Sequence, residues 1–219
     1  MNKNLKAVLF DLDGTLLDTA PDLAFALNEV LKNNHRKSLP FDQIRPVASA
    51  GTRGLLGIGF QITEDNPDYN RLRLEFLQTY HDHLFRQTQV FSGITEILTE
   101  IEKCGLQWGV VTNKPTNLSQ ELLVHFKLAK RAACIVGADI VAHRKPAPDS
   151  LLLACELMEI SPTQCIYVGD AKRDIEAAHA AKMPGIAALY GYIEHDDDPK
   201  LWQADSYIEK PMDLMRLIK

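Results

Sequence analysis

No stretch of this sequence approaches the length of a membrane-spanning apolar run. The first apolar run, Ala7-Val8-Leu9-Phe10, is too short for a secretory signal and leads directly into acidic residues. Cysteine is scarce. Cys104, Cys134, Cys155 and Cys165 include no Cys-x-x-Cys pair, which argues against a zinc site or a redox motif. They read as small apolar residues in a reducing compartment, so cytoplasmic residence is the expectation. Basic residues are not in excess: 24 Lys and Arg stand against 29 Asp and Glu, for a net charge of −5. Neither nucleic acid nor a membrane surface is therefore expected as a partner. Internal repeats and low-complexity segments are lacking too. Asp196-Asp197-Asp198 is the one notable charge run, and it reads as a solvated loop.

What remains is an ordinary globular composition, 46% hydrophobic and 24% charged. A chain of 219 residues suits one core domain with a smaller insertion. Strand-like apolar runs fall at Ala7–Phe10, Trp108–Val111, Cys134–Val136, Cys165–Val168 and Gly185–Leu189. Between the later ones, helical spacing recurs: Ile94, Ile97, Leu98 and Ile101; Leu118, Leu122 and Phe126; Leu151, Cys155 and Met158. This alternation predicts an α/β fold with a mainly parallel sheet, whose chemistry lies at the carboxyl ends of the strands.

Residues 18–90 break the rhythm with helical patterns only. Thr19 can cap a helix, Pro21 suits its first turn, and Leu23, Leu27, Val30 and Leu31 form one face. Leu72, Phe76, Leu77 and Tyr80 mark another helix. The division expected is a core of residues 1–17 and 91–219 with a helical cap of residues 18–90, a candidate lid over the active face. Within it, the segment Ala50–Phe60 carries four glycines around Arg53 and is too irregular for a phosphate-binding glycine fingerprint. It is expected to be a loosely packed turn between helices, with Arg53 as an anion or substrate contact in the functional reading.

Four motifs carry chemistry. Asp11 and Asp13 follow the first strand at i and i+2, so they can face one crevice, where a hard dication such as Mg²⁺ would neutralise them. Val110-Val111-Thr112-Asn113 ends a strand in a hydroxyl and a carboxamide, able to bond and orient a phosphate. Lys145 lies before Pro146, in an extended stretch just ahead of a helix start, where it can neutralise a carboxylate and a phosphate. In Val168-Gly169-Asp170 through Asp174, acids at i and i+4 can share one side of a helix's first turn and complete a Mg²⁺ shell with Asp11. Each motif alone has a plainer explanation: a tight turn, a polar strand end, an exposed Lys-Pro turn, a helix cap.

Together, the Asp-x-Asp-Gly-Thr opening and the later Gly-Asp-x-x-x-Asp resemble the haloacid dehalogenase superfamily, within it the capped phosphatases of the phosphoglycolate phosphatase type. The resemblance implies a Rossmann-like parallel core with an inserted helical cap. It implies Asp11 as nucleophile, forming an aspartyl-phosphate. Asp13 would be the acid and then the base, and also a Mg²⁺ ligand through its carbonyl. Thr112 and Lys145 would hold the phosphate, Asn113 would help orient it, and the amides around Leu12–Gly14 would receive phosphoryl oxygens. Asp170 would ligate the metal and Asp174 orient a metal-bound water. The partner implied is a small phosphorylated substrate, and the enzyme a monomer or homodimer.

Leu106–Pro115, Arg71–Tyr80 and the stretch from Tyr190 through Trp202 to Asp205 are similar to bacterial N-acetylmuramic acid 6-phosphate phosphatases of cell-wall recycling, making that sugar phosphate the leading expected substrate. The alternatives are 2-phosphoglycolate or, on a shared phosphorylated aspartate, a sugar phosphomutase reaction. A hydrolytic dehalogenase would leave Asp13, Asp170 and Asp174 without work, and a signalling receiver domain would lack Asp13 and the cap. Tyr190, Tyr192 and Trp202 are the nearest thing to a sugar platform, although packing of the C-terminal segment on the core is the favoured explanation.

Overall fold

A computed structural model describes residues 4–218, so residues 1–3 and 219 of the expected core fall outside the described residues. In chain order the elements are β1 (Ala7–Phe10), β2 (Leu17–Asp18), α1 (Ala20–Asn33), α2 (Phe41–Ile44), α3 (Gly51–Phe60), α4 (Tyr69–Asp82) and β3 (Gln89–Val90). There follow α5 (Ile94–Lys103), β4 (Gln107–Val111), α6 (Thr116–His125), β5 (Ile135–Val136), α7 (Asp149–Met158) and β6 (Cys165–Gly169). The chain closes with α8 (Lys172–Ala180), β7 (Gly185–Ala188), β8 (Ser206–Ile208) and α9 (Met215–Ile218).

Six strands form one parallel sheet in the order β5-β4-β1-β6-β7-β8. β1 lies in its middle, with Phe10 opposite Val110 on one side and Val168 on the other. All four β1 residues are buried because helices cover both faces, which is why it reads as an unbroken apolar run. Alternation still sorts them. Val8 and Phe10 join the cluster holding Ile94, Ile97, Leu98 and Ile101 of α5. Ala7 and Leu9 join the opposite one, with Leu151, Ala154 and Cys155 of α7 and Ala177 and Ala178 of α8. Each large apolar side chain buried this way contributes about 1.5–3 kcal/mol. Cys134, Cys155 and Cys165 are buried free thiols of this core, while Cys104 is exposed. Among the described residues no helix is long and apolar enough to cross a membrane.

The helical insertion has its own apolar cluster, built from α1, α3 and α4 and joined by Tyr192 and Leu118 of the core. Its two chain crossings meet in a short antiparallel ribbon, Leu17 opposite Val90 and Asp18 opposite Gln89. The glycine-rich segment is not the loose turn expected. It forms helix α3, preceded by a 3-10 turn over Arg45–Ala50. Gly59 lets this helix approach α1 closely, since a Cβ there would press on Leu27 and Leu31. Thr19 precedes α1 but makes no capping bond. The Ala20 amide instead donates to the Tyr192 hydroxyl at 2.9 Å.

Candidate active site

Asp11 follows β1 at the middle of the sheet, where strand order diverges towards β4 on one side and β6 on the other. Lys145, fully buried, reaches it from the loop before α7, with Nζ 3.1 Å from Asp11 Oδ1. The same ammonium donates to Asp174 Oδ1 at 2.7 Å and to the Tyr167 hydroxyl at 2.6 Å. Asn113 fixes the lysine's main chain. Its Nδ2 donates to the Lys145 carbonyl, and its Oδ1 accepts from the Lys145 amide, both at 3.0 Å. Its carboxamide is therefore engaged with the lysine loop, although the residue lines the cavity.

Asp11, Asp170 and Asp174 are all buried, and each offers an oxygen within 4.8 Å of the others. Asp170 makes no ion pair among the described residues. Its oxygens accept from Ser49 Oγ at 2.8 Å and the Tyr192 amide at 2.7 Å. Burial, then the charges of Asp11 and Asp174, push its pKa up to about 8. Burial likewise raises Asp11, against the pull of Lys145. Crowded carboxylates held this way fit a hard oxygen-seeking dication, which would remove the repulsion. Burial opposes the charge on Arg173, yet the three acids hold its pKa above the ordinary value. Glycine makes the crowding possible. Gly14 has φ +79°, and a Cβ there would run into the Asp170 carboxylate.

Asp13 lies across the opening of the loop. Lys114 Nζ is 3.1 Å from its Oδ1 and 3.2 Å from its Oδ2, and Thr19 Oγ1 donates to Oδ1 at 2.7 Å. Neither residue was singled out for this site by sequence, although Lys114 sits directly after the Thr112-Asn113 strand end, a signal that was legible. Ser49 and Arg173 were not legible. Their contact, Arg173 Nη2 to the Ser49 carbonyl at 2.5 Å, joins positions 124 apart in the chain.

Between insertion and core lies a cavity of about 650 Å³. Asp11, Asp13, Thr112, Asn113, Lys145 and Arg53 all line it. Leu12 and Gly14 are not among its lining residues. The Leu12 amide donates to Asp11 Oδ1 at 2.8 Å, and the Gly14 amide donates to the Leu17 carbonyl at 2.9 Å, closing a turn. Arg53, Arg73, Arg144 and Lys172 also line the cavity, Arg144 paired with Glu64 at 3.4 Å and Lys172 with Glu176 at 3.8 Å. Tyr190, Tyr192 and Trp202 do not line the cavity. Tyr192 and Trp202 are buried in separate apolar clusters, so packing accounts for them.

Residues 8–188 match the sequence model of the family described as haloacid dehalogenase-like hydrolase. The chain is 45% identical over 209 residues to a phosphoglycolate phosphatase of Xanthomonas campestris pv. campestris (strain 8004), covering 95% of this chain and 94% of that one. It is 40% identical over 216 residues to the N-acetylmuramic acid 6-phosphate phosphatase of Pseudomonas aeruginosa, covering 98% and 95%. Identity thus favours the first name, reversing the order expected from local stretches. In fold, it superposes on a haloacid dehalogenase-like family hydrolase from Streptococcus pneumoniae with a TM-score of 0.87 at 22% identity, covering 99% of each chain. The chain belongs to the haloacid dehalogenase-like hydrolases and is a phosphatase of that family, acting on phosphoric monoesters.

Proposed function

We propose that this chain is a Mg²⁺-dependent phosphomonoesterase working through an aspartyl-phosphate on Asp11, with 2-phosphoglycolate as its substrate. The observation that carries the mechanism is the buried Asp11 carboxylate, 3.1 Å from the Lys145 ammonium and within 4.8 Å of Asp170 and Asp174. Asp11, Asp170, Asp174 and the Asp13 carbonyl would hold the ion. When bound, Mg²⁺ offsets the negative charge of the phosphoryl group and the carboxylates around it.

An Asp11 oxygen attacks phosphorus, and the bond from phosphorus to the ester oxygen breaks. The Asp13 carboxyl gives its proton to that leaving oxygen. The resulting Asp13 carboxylate then takes a proton from water, whose oxygen attacks phosphorus and displaces the Asp11 carboxylate. Inorganic phosphate leaves, and Asp13 is protonated again. Thr112 donates to a phosphoryl oxygen, and Lys145 stabilises the charge that gathers in both steps. The ribbon of β2 and β3 supports taking residues 18–90 as a cap that covers this chemistry.

N-acetylmuramic acid 6-phosphate is the second reading. A cavity of about 650 Å³ is roomy for a two-carbon acid, and a relative of that name is 40% identical. Both substrates carry a carboxylate in addition to the phosphate, which suits Arg53 and Arg73 in the cavity wall. Phosphate release from the two compounds should differ at least about tenfold in kcat/KM, or 1.4 kcal/mol in transition-state binding. A higher value for the sugar phosphate would reverse the assignment. Asp11→Asn should abolish release, and EDTA should do so reversibly. Trapped wild-type enzyme should carry phosphate on Asp11, and turnover without it would end the mechanism.

A further inference from the structure

Lys114 is a core lysine with its side chain only 6% exposed. A buried ammonium is tolerated only when its three N–H donors are satisfied. Here three acceptors meet it: both oxygens of Asp13, at 3.1 and 3.2 Å, and the Tyr80 hydroxyl at 3.0 Å. The Tyr80 ring also lies beneath it, with its centroid 4.4 Å from Nζ. Tyr80 belongs to α4, in the helical insertion, and is itself buried. The other hydrogen bond to the Asp13 side chain comes from Thr19, which links β2 to α1 at the root of that insertion. Both groups that hold the Asp13 carboxylate therefore depend on where the insertion sits. Elsewhere the insertion is seated on the core through Ser49 on Asp170 at 2.8 Å and Glu64 with Arg144 at 3.4 Å.

We propose that Lys114 is a positioning residue for Asp13 and that Tyr80, from the insertion, sets it, so the ionised carboxylate holds the orientation in which it takes a proton from water only while the cap is seated. This rests on the acid and base role given to Asp13 above. With the cap lifted, Tyr80 withdraws one acceptor and the ring that braces the ammonium. A lysine stem has four rotatable bonds, and water can then draw Nζ away from Asp13. The cap thereby reports its closure to the proton-transfer group, in addition to excluding water.

The test uses Tyr80→Phe, Lys114→Met, their double variant and Lys114→Met combined with Asp13→Asn, with 2-phosphoglycolate and p-nitrophenyl phosphate as substrates. Lys114→Met should lower kcat about 100-fold with KM within about twofold, the signature of a misplaced base. Tyr80→Phe, which keeps the ring, should lower kcat about fivefold. The Tyr80 and Lys114 double variant should match Lys114→Met alone, and adding Lys114→Met to Asp13→Asn should lower kcat no further. Multiplying losses in either pair, or wild-type kcat in folded Lys114→Met, would overturn the proposal. If wild type releases no phosphate, the proposed function fails separately. The same pairs read as melting temperatures still test the coupling, and strictly additive shifts would refute it.

Discussion

At the residue scale, the chemistry of this site begins with charge that water cannot reach. Asp170 is fully buried, and its pKa is raised from 3.8 to about 8 by burial first and then by Asp11 and Asp174. The metal-free folded chain therefore keeps a proton there that the unfolded chain has released. Its contribution to stability is full below pH 3.8 and is lost as pH rises through about 8. A dication held by the ionised carboxylates would stabilise the state that high pH makes unfavourable. Mg²⁺ should accordingly raise the melting temperature more at about pH 8 than at about pH 6. Scanning calorimetry at both pH values, with and without Mg²⁺, checks this, and equal shifts would contradict it.

At the element scale, strand ends and helix starts do the positioning. β1, β4 and β6 bring Asp11, Thr112 and Asp170 together simply because they are neighbours in the sheet. These strands were legible as apolar runs, and α5 as apolar residues at helical spacing, because burial on fixed faces writes itself into sequence. The ribbon of β2 and β3 has only two residues per strand, and β8 only three, too short for any periodicity to register. Helix α3 was hidden by its glycines, which weaken helix propensity but permit close packing. Helix α1 begins on a distant residue. The Tyr192 hydroxyl accepts from the Ala20 amide at 2.9 Å and donates to Asp18 at 2.7 Å. Tyr192→Phe should therefore destabilise the chain by about 1–2 kcal/mol in urea unfolding, and an unchanged midpoint would show that the bond contributes nothing.

At the scale of the whole molecule, the cavity exists only because an insertion with its own core folds back over the carboxyl ends of the strands. Arg53 and Arg73 come from that insertion, and their side chains make no hydrogen bond or ion pair among the described residues. Both are exposed, so their charge acts through a screened field. They suit a substrate with a second anionic group. The double variant Arg53→Ala with Arg73→Ala should raise KM about tenfold and leave kcat nearly unchanged. Added salt should raise the wild-type KM and affect the double variant far less. Steady-state kinetics over a salt series measures both, and a loss confined to kcat would remove the arginines from substrate binding.

The sequence by itself determined the family, the α/β class and the acids, hydroxyl and lysine of the four motifs. Those depend on local patterns: apolar runs, helical spacing, and charged residues placed directly after strands. Only the tertiary structure decided which groups hold them. Lys114 on Asp13, Ser49 and the Tyr192 amide on Asp170, and Asn113 on the Lys145 main chain are contacts between segments far apart in the chain. A hydrogen bond of this kind leaves no periodic trace, because it requires one donor at one distance and nothing of the residues around it.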